Sequence, residues 1–166
     1  MSINDALLPE YDREMTHTRR LLERLPEDRF AWRPHESSRT LGELAAHIAG
    51  LPRWALTVLD TGVFDVDLDR GRLQTPAPDS RGGLLEAFDR HAAAARAALA
   101  ARTDPEYLAR WTLRKDGENV CTLPKAAVIR TMVLNHLVHH RGQLTVYLRL
   151  LGVVLPPLYG PTADPA

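Results

Sequence analysis

The sequence predicts an all-α protein: a four-helix bundle with a long connection between helices 2 and 3 and a short hairpin-like insertion before helix 4. Three observations carry that expectation. Apolar residues recur at spacings of three and four through four long stretches, Pro and Gly clusters fall between the stretches, and strand-like alternation is confined to one short region. The first helix runs from about Ile3 to Leu25, with Leu7, Tyr11, Met15, Thr18, Leu21 and Leu22 on one face, and Pro26 ends it. An irregular connection to Ser38 carries Phe30 and Trp32. The second helix opens on the capping box Thr40-Leu41-Gly42-Glu43 and extends to about Asp60. Residues 61–79, with Gly62, Gly71, Pro76 and Pro78, form the long connection. The third helix starts near Ser80 and continues through the alanine-rich stretch to Ala101. Between 103 and 123, Trp111-Thr112-Leu113 and Val120-Cys121-Thr122 flank Asp116-Gly117, the pattern of a tight hairpin turn. The fourth helix begins at Pro124 and reaches Leu151, where Gly152 stops it. An irregular tail, 153–166, completes a single domain spanning 1–166.

Composition narrows the function classes. The 166 residues suit one domain, and 45% hydrophobic with 25% charged residues is ordinary for a globular chain. Twenty-one basic residues balance 21 acidic ones, so no basic footprint for nucleic acid or an anionic membrane is present. No apolar run approaches the roughly 20 residues of a membrane span. The first twelve residues lack a secretory pattern, and the single Cys121 provides no internal disulfide, which together lead us to expect a cytoplasmic protein.

The chemistry concentrates in His136-Leu137-Val138-His139-His140-Arg141-Gly142-Gln143. Positions i and i+4 of a helix share a face, so His136 and His140 can grip one ion together. His47, inside the second helical pattern, is the candidate third ligand. The row His136, His140, Gln143, Tyr147 and Leu151 is expected to face the bundle interior, His139 to sit at a rim or interface, and Arg141 to point away towards an interface salt bridge. Gln143, Glu43 and Tyr147 are candidate supporting or pocket residues, with capping the favoured role for Glu43. Three imidazoles and open positions admit Zn²⁺, Ni²⁺, Fe²⁺ or Mn²⁺. The competing reading makes the same histidines hydrogen-bonded core residues.

Other constellations are weaker. Glu14-Met15-Thr16-His17 matches one Glu-x-x-His of di-iron bundles, but no second copy exists. Asp89 and His91 read as surface residues, Cys121 as a packing residue, and Trp32, Trp54 and Trp111 as core or interface residues.

Leu44-Ala45-Ala46-His47-Ile48, the segment Leu134 to Leu144 and Pro157-Leu158-Tyr159-Gly160-Pro161-Thr162-Ala163-Asp164 resemble the DinB/YfiT-like superfamily over nearly the whole chain. The resemblance implies a four-helix bundle, commonly a homodimer, with His47, His136 and His140 holding one divalent metal. It further implies an enzyme acting on a small-molecule substrate, either a transferase of the thiol S-transferase type using a low-molecular-weight thiol, or a hydrolase. A non-catalytic metal- or ligand-binding stress-response protein is the alternative, since it would use the same three ligands.

Overall fold

The computed structural model describes residues 2–69 and 75–164; Gly71 of the long connection and the last two tail residues lie outside them. The architecture is mostly helical with a small three-stranded sheet, so the chain is not all-α. Helix α1 (Ile3–Leu22) is capped by Ser2 and stops three residues short of the expected Leu25, giving way to a turn and a short 3₁₀ segment (Glu27–Arg29). The expected second helix is two helices, α2 (Leu41–Gly50) and α3 (Arg53–Asp60). Pro52 explains the break: it lacks the N–H that a continuous ladder needs there.

The described part of the long connection carries its own structure, strand β1 (Val63–Asp65) and the single turn α4 (Val66–Asp69). Helix α5 (Arg81–Ala100) begins at the Ser80 cap, as the sequence indicated, and a short helix α6 (Asp104–Leu108) follows. Strands β2 (Arg110–Lys115) and β3 (Glu118–Pro124) then pair antiparallel through Asp116 and Gly117, both with positive φ (51° and 78°). That is the conformation a two-residue hairpin turn demands. β1 adds to β2 in parallel, Val63 opposite Thr112.

A three-residue strand has too little length to show alternation, which is why β1 is silent in the sequence. Its anchor is Phe64, buried against Trp54 and Trp111 at ring separations of 5.0 and 6.5 Å. Trp111 is fully buried, and its indole N–H donates to Thr61 Oγ1 at 3.1 Å.

The last helical stretch starts after Pro124 as α7 (Lys125–Val128), widens into a π-helical segment (Ile129–Asn135), and continues as α8 (His136–Leu150). Gly152, at φ 72°, ends it as expected. α1 packs on α5 and α8, and α2 on the same two helices, so the four elements enclose one core. Tyr11 crosses that core to donate its hydroxyl to the Ala92 carbonyl at 3.0 Å.

The face α8 turns inward is Leu137, Arg141, Leu144 and Leu148, all buried, rather than the histidine row. The row His136, His140 and Tyr147 lies beside that face, half-buried, and Gln143 is exposed. Arg141 is therefore not an outward interface residue: at 1% exposure it is part of the core. Its Nη1 donates to the Glu14 carbonyl and Thr18 Oγ1, and its Nη2 to Glu14 Oε2 at 2.5 Å and to the Tyr159 hydroxyl. Tyr159 donates in turn to Glu14 Oε2, which pins the aperiodic tail onto α1. Farther along the tail, Asp164 takes both Arg149 donors at 2.6 and 2.9 Å.

Candidate metal centre

His47 lies two turns into α2, and His136 and His140 occupy the first turns of α8. Packing of α2 on α8 brings the three rings together. His136 Nε2 lies 2.8 Å from His140 Nε2 and 3.3 Å from His47 Nε2, and one ring nitrogen from each residue falls within 4.8 Å of the others. The π-helical segment ends at His136, whose own backbone N–H turns to the Val133 carbonyl. Wide helical turns of this kind concentrate at functional sites.

The outer hydrogen bond of His140 fixes what its inner nitrogen presents. His140 Nδ1 lies 2.7 Å from Gln143 Oε1, and the Met132 backbone carbonyl favours the protonated form of the His136 ring. Gln143 Oε1 accepts only, so His140 carries its proton on Nδ1 and aims its Nε2 lone pair inward. Three imidazoles bound to one ion at about 2.0–2.1 Å place their nitrogens about 3.3 Å apart in a tetrahedral arrangement. The cluster could therefore hold a metal ion.

Electrostatics agree with neutral ligands. Burial, then the nearby Arg39 charge, then the other two imidazoles push His47 down to about 3. Burial also lowers His136 and His140, with Arg39 and the exposed His139 acting in the same direction. His139 sits at the rim, its ring 4.9 Å from that of His140. Arg39 is the cationic neighbour common to all three histidines. The sequence offered no sign of it beyond its place next to a helix cap.

The remaining candidates separate clearly. Gln143 is joined to the cluster through His140. Glu43 Oε2 instead accepts from the Thr40 backbone N–H at 2.7 Å while Thr40 Oγ1 accepts from the Glu43 N–H, so it is the capping carboxylate. Tyr147 donates to the Arg39 carbonyl at 3.1 Å and packs edge-on against Trp32, tying the entry to α2 onto α8. Glu14 is committed to Arg141 and Tyr159, which leaves the Glu-x-x-His pattern no free carboxylate. Asp89 is a surface residue paired with Arg19, whereas His91 is half-buried against α2. Cys121 lies in β3, half-buried opposite Leu113.

The capping role yields a test. Thr40→Ala should cost about 1 kcal/mol of stability, the usual worth of such a cap, measured by urea denaturation. Metal content should be unchanged; a drop in it would give this turn a part in the centre.

No helix among the described residues is long and apolar enough to cross a membrane. Comparison with known proteins gives a consistent picture. A curated relative, the uncharacterized protein YrdA of Bacillus subtilis, is 24% identical over 164 residues, covering 96% of this chain and 90% of its own. A crystal structure of a DinB-like protein from Bacillus cereus superposes with a TM-score of 0.73 at 23% identity, covering 95% of this chain and 98% of that one. One from Exiguobacterium sibiricum, a putative member of the DinB family, gives 0.65 at 23% identity over 99% and 98% of the two chains. These likenesses establish the fold. The DinB family model itself matches residues 1–165, and the chain belongs to the DinB family.

Proposed function

We propose that this protein is a divalent-metal-dependent enzyme acting on a small molecule, a transferase of the thiol S-transferase type, with His47, His136 and His140 as the ligands. The observation that supports this most directly is the gathering of one ring nitrogen from each of His47, His136 and His140 within 4.8 Å of the others. Three neutral imidazoles gathered so closely suit a divalent cation. A divalent ion there would supply a Lewis acid that deprotonates a bound thiol outright or brings bound water to a pKa of about 7. Three protein ligands leave positions open for such a group.

The chain's own residues would do the rest. Gln143 holds the His140 ring in the tautomer that ligates. Arg39 adds a positive charge beside the cluster, which favours an approaching anion such as a thiolate. Tyr147 keeps Arg39 in place through its carbonyl. We further propose a homodimer, for which sedimentation should give twice the 18.6 kDa of one chain.

The test is consumption of mycothiol, bacillithiol or glutathione with an aryl or alkyl halide, on protein loaded in turn with Zn²⁺, Ni²⁺, Fe²⁺ or Mn²⁺. One thiol should be consumed in a metal-dependent way, and His47→Ala should abolish it. A metal-loaded protein that consumes none of the three would overturn the transferase reading in favour of binding alone.

A further inference from the structure

The seam between α2 and α8 continues past the three histidines. On α8, Gln143 carries the row on from His140, and Tyr147, one turn farther, donates to the Arg39 carbonyl at 3.1 Å. α2 runs the other way along this seam, rising roughly 10 Å from its Thr40 cap to His47. Arg39 thus stands at one end of a short polar seam and the ligand nitrogens at the other.

The backbone is held on both sides of this arginine, and its side chain is not. Tyr147 holds the Arg39 carbonyl, Trp32 packs edge-on against Tyr147, and the Trp32 carbonyl accepts the Leu41 N–H at 2.8 Å. Arg39 itself is exposed, and its guanidinium forms no ion pair or hydrogen bond among the described residues. Its charge still reaches the cluster: burial lowers the three imidazoles first, and Arg39 lowers each of them further. The neighbouring Glu43 is held low by its hydrogen bonds with Thr40 and then by Arg33 and Arg39, so that carboxylate is committed to the cap. A fixed backbone presenting a free guanidinium beside three neutral ligands suits a molecule with two different groups, one for the ion and an anionic one for the arginine. A carboxylate matches the single charge of one guanidinium and meets it through two parallel N–H donors.

We propose that the thiol used at this centre carries a carboxylate, which Arg39 receives while the sulfur takes an open position beside His47, His136 and His140. This rests on the reading of the cluster as a metal-held thiol site, and it names the class of thiol.

The test uses full-length protein loaded with Co²⁺, whose ligand-field bands report an occupied site and whose thiolate charge-transfer band reports sulfur binding. Mercaptoacetate, β-mercaptopropionate and γ-mercaptobutyrate are titrated beside neutral β-mercaptoethanol. At least one of the acids should bind wild type about fivefold more tightly than the neutral thiol, the upper end of what an exposed charge pair supplies. Arg39→Gln, which removes a guanidinium with no internal partner, should bring that ratio to about one, and Arg39→Lys should restore part of it. Equal affinity of wild type for the acids and the neutral thiol would overturn the proposal and leave the thiol reading standing. A preference that survives in Arg39→Gln would overturn it too, by placing the carboxylate on the metal. Ligand-field bands without a charge-transfer band for any thiol would overturn the thiol reading itself, and the proposal with it.

Discussion

Protein purified without an affinity tag should contain close to one divalent metal ion per chain, and His136→Ala should contain essentially none. His136 is the pivot of the cluster, since its Nε2 is the atom closest to both of the other histidines. Removing it takes away the central ligand and leaves two nitrogens on different helices. Loss of an outer hydrogen-bonding partner costs about 10–100-fold in metal affinity, so loss of the ligand itself should cost more than that. Gln143→Leu supplies the graded comparison. It frees His140 Nδ1 without touching a ligating atom, and should weaken binding by about 10–100-fold while leaving a full site at saturating metal. Plasma mass spectrometry of the three proteins, with competitive chelator titration, reads both effects. Metal absent from wild type after reconstitution, or retained in His136→Ala, would return these histidines to the hydrogen-bonded core.

The same residues show how far the sequence reaches. Periodicity located the long helices, and the capping box at Thr40 and the glycines at 117 and 152 marked real boundaries, because each depends on local backbone chemistry. The histidine cluster was legible for a similar reason: i,i+4 spacing on one helix is local, and only His47 had to be supplied from another. What local reasoning could not reach were choices made by tertiary contact. β1 exists because Phe64 packs on Trp111, 47 residues away in the chain and on the neighbouring strand. Pro52 separates α2 from α3, although the apolar pattern continues across it.

The phase of α8 is where the structure departs furthest from the sequence pattern. Placing the histidine row inward pushed Arg141 outward, because a lone arginine between leucines is ordinarily a surface residue. The chain instead buries Leu137, Arg141, Leu144 and Leu148 and supplies Arg141 with a carboxylate from α1 and a phenol from the tail. Neither partner is near Arg141 in sequence, and the tail has no pattern that would have announced its role. The histidines consequently sit about 100° around the helix from the core, half-buried, where an ion and its ligands can be reached.

Arg141→Met should destabilise the protein by about 3–5 kcal/mol, the cost of leaving one member of a buried pair without its partner. Glu14 is only 4% exposed, so its carboxylate cannot turn to water when the guanidinium is gone. The pair also carries a pH dependence of known sign. Burial alone would raise the Glu14 carboxyl, but the hydrogen bonds from Tyr159 and Arg141 outweigh it and hold the group below its ordinary value of 4.5. A lowered folded-state value means that the stabilisation is complete above 4.5 and is lost as pH falls through the folded-state titration. Urea denaturation of wild type from pH 7 downward should therefore show stability falling in the acid range, and Arg141→Met should flatten that fall, because its carboxyl is no longer held low. Tyr159→Phe tests the tail separately: it removes one donor to Glu14 and should cost about 1–3 kcal/mol. The double variant Glu14→Leu/Arg141→Met decides what the pair is for. Replacing both partners by apolar groups should recover much of the loss, since a buried pair gains little over a packed hydrophobic pair. If the double variant remains as unstable as Arg141→Met, the tail contact rather than the charge pair is what holds α1 to α8. If Arg141→Met itself is as stable as wild type, Arg141 does not occupy the core and the assignment of the buried face of α8 is wrong.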